Sequence, residues 1–284
     1  MSALCNLKTI ARNNKRRLLG TFALVAAENL LLLVYPVFGG FAINGVLAGN
    51  LPQALLYAFV VLVIWLVGAA RRAADTRTFT RIYAEMVVPV IVSQRAEGEE
   101  TSAVSARVAL SRELVDFFEN HLPTLITAAV SMAGAVLMLL IIEPWPGVAA
   151  LAVMAVFALL VPRFAATNDR LYFRLSNRLE HDVGQIERAR RRHLNRHYGL
   201  ISRLRIRISN REAAGYLLIG LALCALFGFT FAWLTLAGRR DPGHIYAVVS
   251  YLWSFAMSID DAPHLPEEFY KIKYIGKRVH VEDA

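Results

Sequence analysis

The chain has 284 residues, 56% apolar and 19% charged, against about 45–50% and about 25% in soluble domains. With a mean hydropathy of +0.45 and apolar runs of about 20 residues, lipid is the expected solvent for much of it, which excludes disorder, collagen-like repeats and a disulfide scaffold. Lys plus Arg is 31 and Asp plus Glu is 22; a balance of this sign points to nucleic acid in a soluble protein, but in a membrane protein basic residues collect in cytoplasmic segments.

In chain order, Lys8, Arg12, Lys15, Arg16 and Arg17 precede an apolar stretch over 18–42. A secretory signal has an apolar core of about 7 to 15 residues, so this longer run reads as a retained anchor. Further spans are predicted at 51–70, 122–142, 148–161, 213–236 and 245–259. The fourth and sixth are short and need polar ends to complete a crossing. Six spans put both termini on one side. The outer connections would be 43–50, which is uncharged, 143–147, and 237–244, which holds Arg239 and Arg240; every other basic residue then faces the opposite side. That asymmetry predicts a multi-pass protein of a bacterial-type inner membrane with both termini cytoplasmic. Cys5 and Cys224 read as reduced structural thiols.

Two inner segments, 71–121 and 163–212, are far longer than any outer connection and lack the Pro, Gly and Ser content of flexible linkers. Each is predicted as a helix leaving the membrane, a tight turn, and a helix returning. With about 25 residues per arm, the tips would stand roughly 35–40 Å beyond the lipid. The alternation Arg203-Leu204-Arg205-Ile206-Arg207-Ile208 resembles a strand, but Ile201, Leu204 and Ile208 also share one helical face, and a lone strand would have no partner for its backbone. Helix is therefore predicted. The first turn gathers Glu97, Gly98, Glu99 and Glu100; the second gathers Arg188, Arg190, Arg191 and Arg192. These tips read either as docking surfaces for a soluble partner or as solvated faces.

Among polar residues in the spans, Glu28 lies about 16 Å along a helix from Arg17 and is expected near mid-bilayer beside Asn29. An intramembrane carboxylate is a candidate for proton or cationic-substrate binding, or else a protonated group bonded across helices. Asp260 and Asp261, at the inner end of the sixth span, are adjacent acids that either share a site and titrate or are simply solvated. His193 and His197 have a metal-compatible spacing, but neighbouring arginines and the lack of an acidic third ligand argue against a metal site. Glu119 and His121 are expected to cap the third span, and Trp145 and Trp233 to anchor the outer interface. Tyr251 and Trp253 lie deeper, where they would either pack, face lipid or line a cavity. No nucleophile with an adjacent base is present, so no catalytic residue and no cofactor is predicted. The Arg-rich stretch lacks the interleaved aromatics of a nucleic-acid surface, which leaves anionic lipid as the simpler partner.

Six spans, two extended helical pairs and a closing helix resemble the transmembrane domain of ABC exporters, and specifically the six-span proteins of that superfamily without a fused ATPase. The residues that carry the resemblance are Gly98 to Arg107 followed by Glu113, Leu114, Val115 and Phe118; Ser209-Asn210-Arg211-Glu212-Ala213; Gly243-His244-Ile245-Tyr246-Ala247 with Tyr251; and Ile275-Gly276-Lys277-Arg278-Val279. The resemblance implies an all-α fold over 1–284 and a homodimer with helical pairs exchanged between subunits, whose tips act as coupling helices toward ATPase domains. No G-x-x-x-x-G-K-[ST] loop occurs in these residues, so ATP hydrolysis would fall to a separate subunit. A more distant similarity to SbmA/BacA-type peptide transporters implies an ion gradient instead. The expected function is transport of a small amphipathic molecule or peptide; the alternative is a membrane scaffold that recruits soluble partners through its basic arms.

Overall fold

A computed structural model describes residues 14–96, 98, 100–180 and 191–261. All the regular structure among them is helical: α1 Lys15–Leu47, α2 Leu51–Ala96, α3 Thr101–Asp116, a π-helical turn Phe117–His121, α4 Leu122–Ile142, α5 Pro144–Glu180, α6 Arg191–Leu236 and α7 Pro242–Asp261. The helices divide into two compact units, one of α1–α4 with α7, the other of α5 and α6.

The short connections are built by local chemistry. Asn50 caps α2, its side-chain oxygen accepting the Gln53 amide at 3.4 Å and its carbonyl the Ala54 amide. The Asp241 side chain accepts the Gly243 amide at 3.2 Å at the start of α7. Pro52, Pro144 and Pro242 sit in first helical turns, where the missing N–H costs nothing. Gly49 and Gly238, both at φ +67°, end α1 and α6 in the left-handed conformation that a side chain resists. Pro36, Pro89 and Pro162 lie inside long helices; Pro36 falls within a predicted span, where membrane helices tolerate it.

Five of the described helices are long and apolar enough to cross a membrane. The sixth predicted span, within α7, has the length but more polar residues. Enclosure by its neighbours explains this: Val248, Leu252 and Phe255 are wholly buried and Ile259 nearly so, on a helix packed against both α1 and α4. A helix shielded by protein needs less apolar surface than one facing lipid. The fourth span gains its length from both sides, since α5 runs unbroken over 37 residues.

The long inner segments are continuous with the spans. α2 has 46 residues and is about 69 Å long, more than twice the roughly 30 Å of a hydrocarbon core. It turns at Gly98, with φ +80°, and returns as α3, so the first predicted hairpin and its tight turn are present. Phe79, Ile82 and Val115, with Leu18 and Tyr83 against them, form a core inside this extension. In the second unit, residues 191–208 are helical as predicted, and Leu171, Leu175, Ile201 and Ile208, with Leu204, close the α5–α6 pair. The predicted second turn falls largely in 181–190, outside the described residues.

Candidate functional site

α1 and α2 run antiparallel, and at every seventh residue of each a polar pair joins them. Asn14 Nδ2 donates to Glu85 Oε2 at 2.7 Å, the Thr21 hydroxyl lies 3.5 Å from that of Thr78, and Glu28 Oε2 is 2.6 Å from Arg71 Nε. Such heptad spacing is the register of two helices wound with a left-handed supercoil. Arg71 is the first charged residue after the apolar run of α2, so Glu28 lies level with the charged end of that run. The other carboxylate oxygen rests against Gly68, whose missing side chain leaves it room: a Cβ there would lie 3.0 Å from Glu28 Oε1.

Asp75 lies one turn from Arg71 and is 7% exposed. Its Oδ1 has no hydrogen-bond partner. Burial pushes its carboxyl above the ordinary 3.8; Arg71 draws it back down, while Glu119 and Glu28 push it up. Asp75 lies outside the predicted span 51–70. Glu119 belongs to the π-helical turn, an irregularity frequent at functional sites. In the same turn His121 Nε2 is 3.7 Å from Asp116 Oδ2, and Asn120 Nδ2 donates to Asp116 Oδ1 at 2.7 Å.

Asn29, beside Glu28 in sequence, turns to another neighbour. It donates to the Val25 carbonyl at 2.8 Å and lies 3.3 Å from the Thr127 hydroxyl, which ties α1 to α4. Further along α1, Gly39 packs under the Tyr246 ring and Gly40 against the Gly243 carbonyl of α7. Asn44 Oδ1 accepts the Gly243 amide at 3.0 Å, and Tyr251, buried, donates to the Leu33 carbonyl at 2.6 Å. Tyr251 is thus a packed ring, whereas Trp253 is 58% exposed. Tyr35 stacks on Tyr57 with ring centres 6.1 Å apart.

In the α5–α6 unit, Trp145 and Trp233 meet at 5.8 Å, and Trp233 Nε1 donates to Glu143 Oε2 at 3.1 Å. Toward the other end a cavity of about 560 Å³ is lined by Arg174, Arg178, His197, Arg203 and Arg207. Among the described residues none of these four arginines forms an ion pair. Arg203 Nε donates to the Gly199 carbonyl at 3.2 Å.

Of the predicted tip residues, Gly98 makes the turn, and Glu100 precedes α3, accepting from the Ser102 hydroxyl at 3.2 Å. Glu97, Glu99, Arg188 and Arg190 lie outside the described residues. Arg191 and Arg192 open α6, and Asp260 and Asp261 close α7; the side chains of all four, and that of His193, also lie outside them. Sequence reasoning missed Asp75, Tyr57 and Glu143. For Asp75 a signal existed, since its spacing from Arg71 places both on one face of a helix. For Tyr57 and Glu143 the partners are distant in sequence or across a turn, and no spacing announces them.

Comparison with known families finds that residues 7–243 match the ABC transporter transmembrane region. No curated protein matches the chain.

Proposed function

Because the chain belongs to the family of ABC transporter transmembrane regions, whose general role is membrane transport, we propose that it moves a small amphipathic molecule or peptide across the inner membrane by alternating access. It acts as a homodimer, with the helical hairpins and both termini in the cytoplasm. The observation that carries this reading is the continuity of α2 with its extension. Residues 71–96 prolong the span without a break, so a force at the Gly98 turn acts through a stiff lever about 39 Å long on the membrane part. The packed core of Phe79, Ile82 and Val115 braces the part of that lever nearest the span.

Energy comes from a separate ATPase subunit at the tips or from a proton gradient at the Glu28–Arg71 pair, since these residues contain no phosphate-binding loop. Anionic lipid head groups are the expected neighbours of the basic residues nearest the membrane. Proteoliposomes holding the purified chain decide between the branches. Uptake of an amphipathic fluorescent probe under an imposed pH gradient, abolished by Glu28→Gln with folding intact, supports the proton branch. Uptake only with ATP and a co-purified ATPase supports the other. A chain that moves no probe in either condition contradicts transport.

One observation favours a second reading. A cavity lined by Arg174, Arg178, Arg203 and Arg207 suits an anionic surface, as a scaffold recruiting an acidic soluble protein requires. Reversal of two of these charges should then release such a partner while leaving probe transport unchanged.

A further inference from the structure

We propose that the arginine-lined cavity of the α5–α6 pair binds a soluble, multiply phosphorylated small molecule, held by Arg174 and Arg178 from one helix and by Arg203 and Arg207 from the other. Each helix supplies two arginines four residues apart, on one face, where like charges repel each other. The apolar seam of Leu171, Leu175, Ile201 and Ile208 holds the helices together, and both repelling pairs then line a single cavity. Among the described residues no carboxylate offsets them. None of the four arginines has an ion pair, and Asp169 has none either. Glu212 accepts from the Tyr172 hydroxyl at 2.9 Å instead. Four uncompensated cations around one concavity focus their field on an entering anion, whose binding relieves the repulsion on both helices.

Shape and position select the kind of anion. A guanidinium presents paired N–H donors that match phosphate oxygens, so four of them suit a ligand with several phosphate charges. The cavity volume, about 560 Å³, lies within the range of roughly 300–1,000 Å³ typical of small-ligand pockets. A stable protein partner instead covers about 800 Å² of surface. The apolar runs predicted as spans end at Val161 on α5 and begin at Ala213 on α6. The arginines stand about 20–25 Å beyond the first of these along α5 and about 9–15 Å beyond the second along α6. Both distances exceed the head-group layer, about 5–8 Å thick, which favours a ligand from solution over a lipid head group. Seated there, it would bridge α5 to α6 outside their apolar seam.

This inference is independent of how transport is powered, and its failure leaves the transport reading intact. The probe is inorganic triphosphate, titrated calorimetrically into the full chain in phosphatidylcholine nanodiscs. One site per chain is expected, weakening as salt rises. Arg178→Gln and Arg203→Gln should each reduce affinity about 10-fold or more. Arg205→Gln removes the same charge from α6 between two of the site arginines, but outside the cavity lining, and should change affinity less than about twofold. Circular dichroism checks that each variant is folded. No binding to the wild type overturns the inference. Equal losses in Arg203→Gln and Arg205→Gln also overturn it, because they would show a diffuse field and no site. Two further arms identify the occupant. Phosphatidylglycerol retained by the purified chain, read by native mass spectrometry, should be equal in wild type and Arg178→Gln; its loss in the variant would reassign the cavity to head groups. Binding of poly-glutamate to the same arginines where triphosphate does not bind would assign it to an acidic protein, and the inference falls.

Discussion

Gly40→Ala tests the closest helix crossing in the first unit. A Cβ at Gly40 would strike the Gly243 carbonyl, and one at Gly243 would strike the Gly40 carbonyl. Both obstacles are backbone, so no side-chain rotation relieves the clash and α1 must move away from α7. Overpacking of this kind costs about 1–3 kcal/mol, and the displaced helix loses the Gly243 amide bond to Asn44, about 1 kcal/mol more. Alanine recovers about 1 kcal/mol of helix propensity. The net loss is about 1–3 kcal/mol, read as a lowered unfolding midpoint in detergent. Gly220→Ala in α6 is the control: no atom lies within 4 Å of a Cβ there, so it should gain about 0.5–1 kcal/mol. Equal unfolding midpoints for the two variants would refute the crossing.

Leu175→Ala opens the core of the α5–α6 pair and should cost about 2–3 kcal/mol; amide exchange near Ile201 and Ile208 should quicken roughly 30- to 150-fold, while α1 and α7 exchange as before. Asp75→Asn should alter the pH dependence of stability. With its carboxyl raised above 3.8, the folded state binds the proton more tightly than the unfolded one, so Asp75 contributes stability below that value and loses it as pH rises through the raised one. The variant should therefore be the more stable at neutral pH, with the difference shrinking as pH falls toward 4. Trp233→Phe removes the bond to Glu143 and should destabilise by about 1–2 kcal/mol, measured by the unfolding midpoint; no change would mean that the ring contact with Trp145 holds that turn without it.

Hydropathy made the spans legible because a run such as 122–142 has no alternative to lipid or a deep core. The first hairpin was legible for a related reason: 71–121 holds too few breakers to be a loop and too many charges to be a span. The partner of Glu28 was not legible, because Arg71 lies 43 residues on in sequence and no local spacing joins the two. Asp75 was hidden for a similar reason. Among the arginines of α2 it reads as one charge on a mixed face, and only tertiary packing reveals that its carboxylate is buried with one oxygen left without a partner. α7 shows the converse: its polar residues weakened the span signal, yet it is the most enclosed helix of its unit.

The central claim is a lever of stiff helices projecting from a multi-pass bundle. Its reach is measured by energy transfer to acceptor-labelled lipid head groups from a thiol-linked fluorophore next to the Gly98 turn, carried by a Ser102→Cys variant in which Cys5 and Cys224 are replaced by serine. The account predicts a separation of about 35–40 Å from the nearer membrane surface. A separation of about 10 Å, the diameter of a helix lying flat on the lipid, would contradict it.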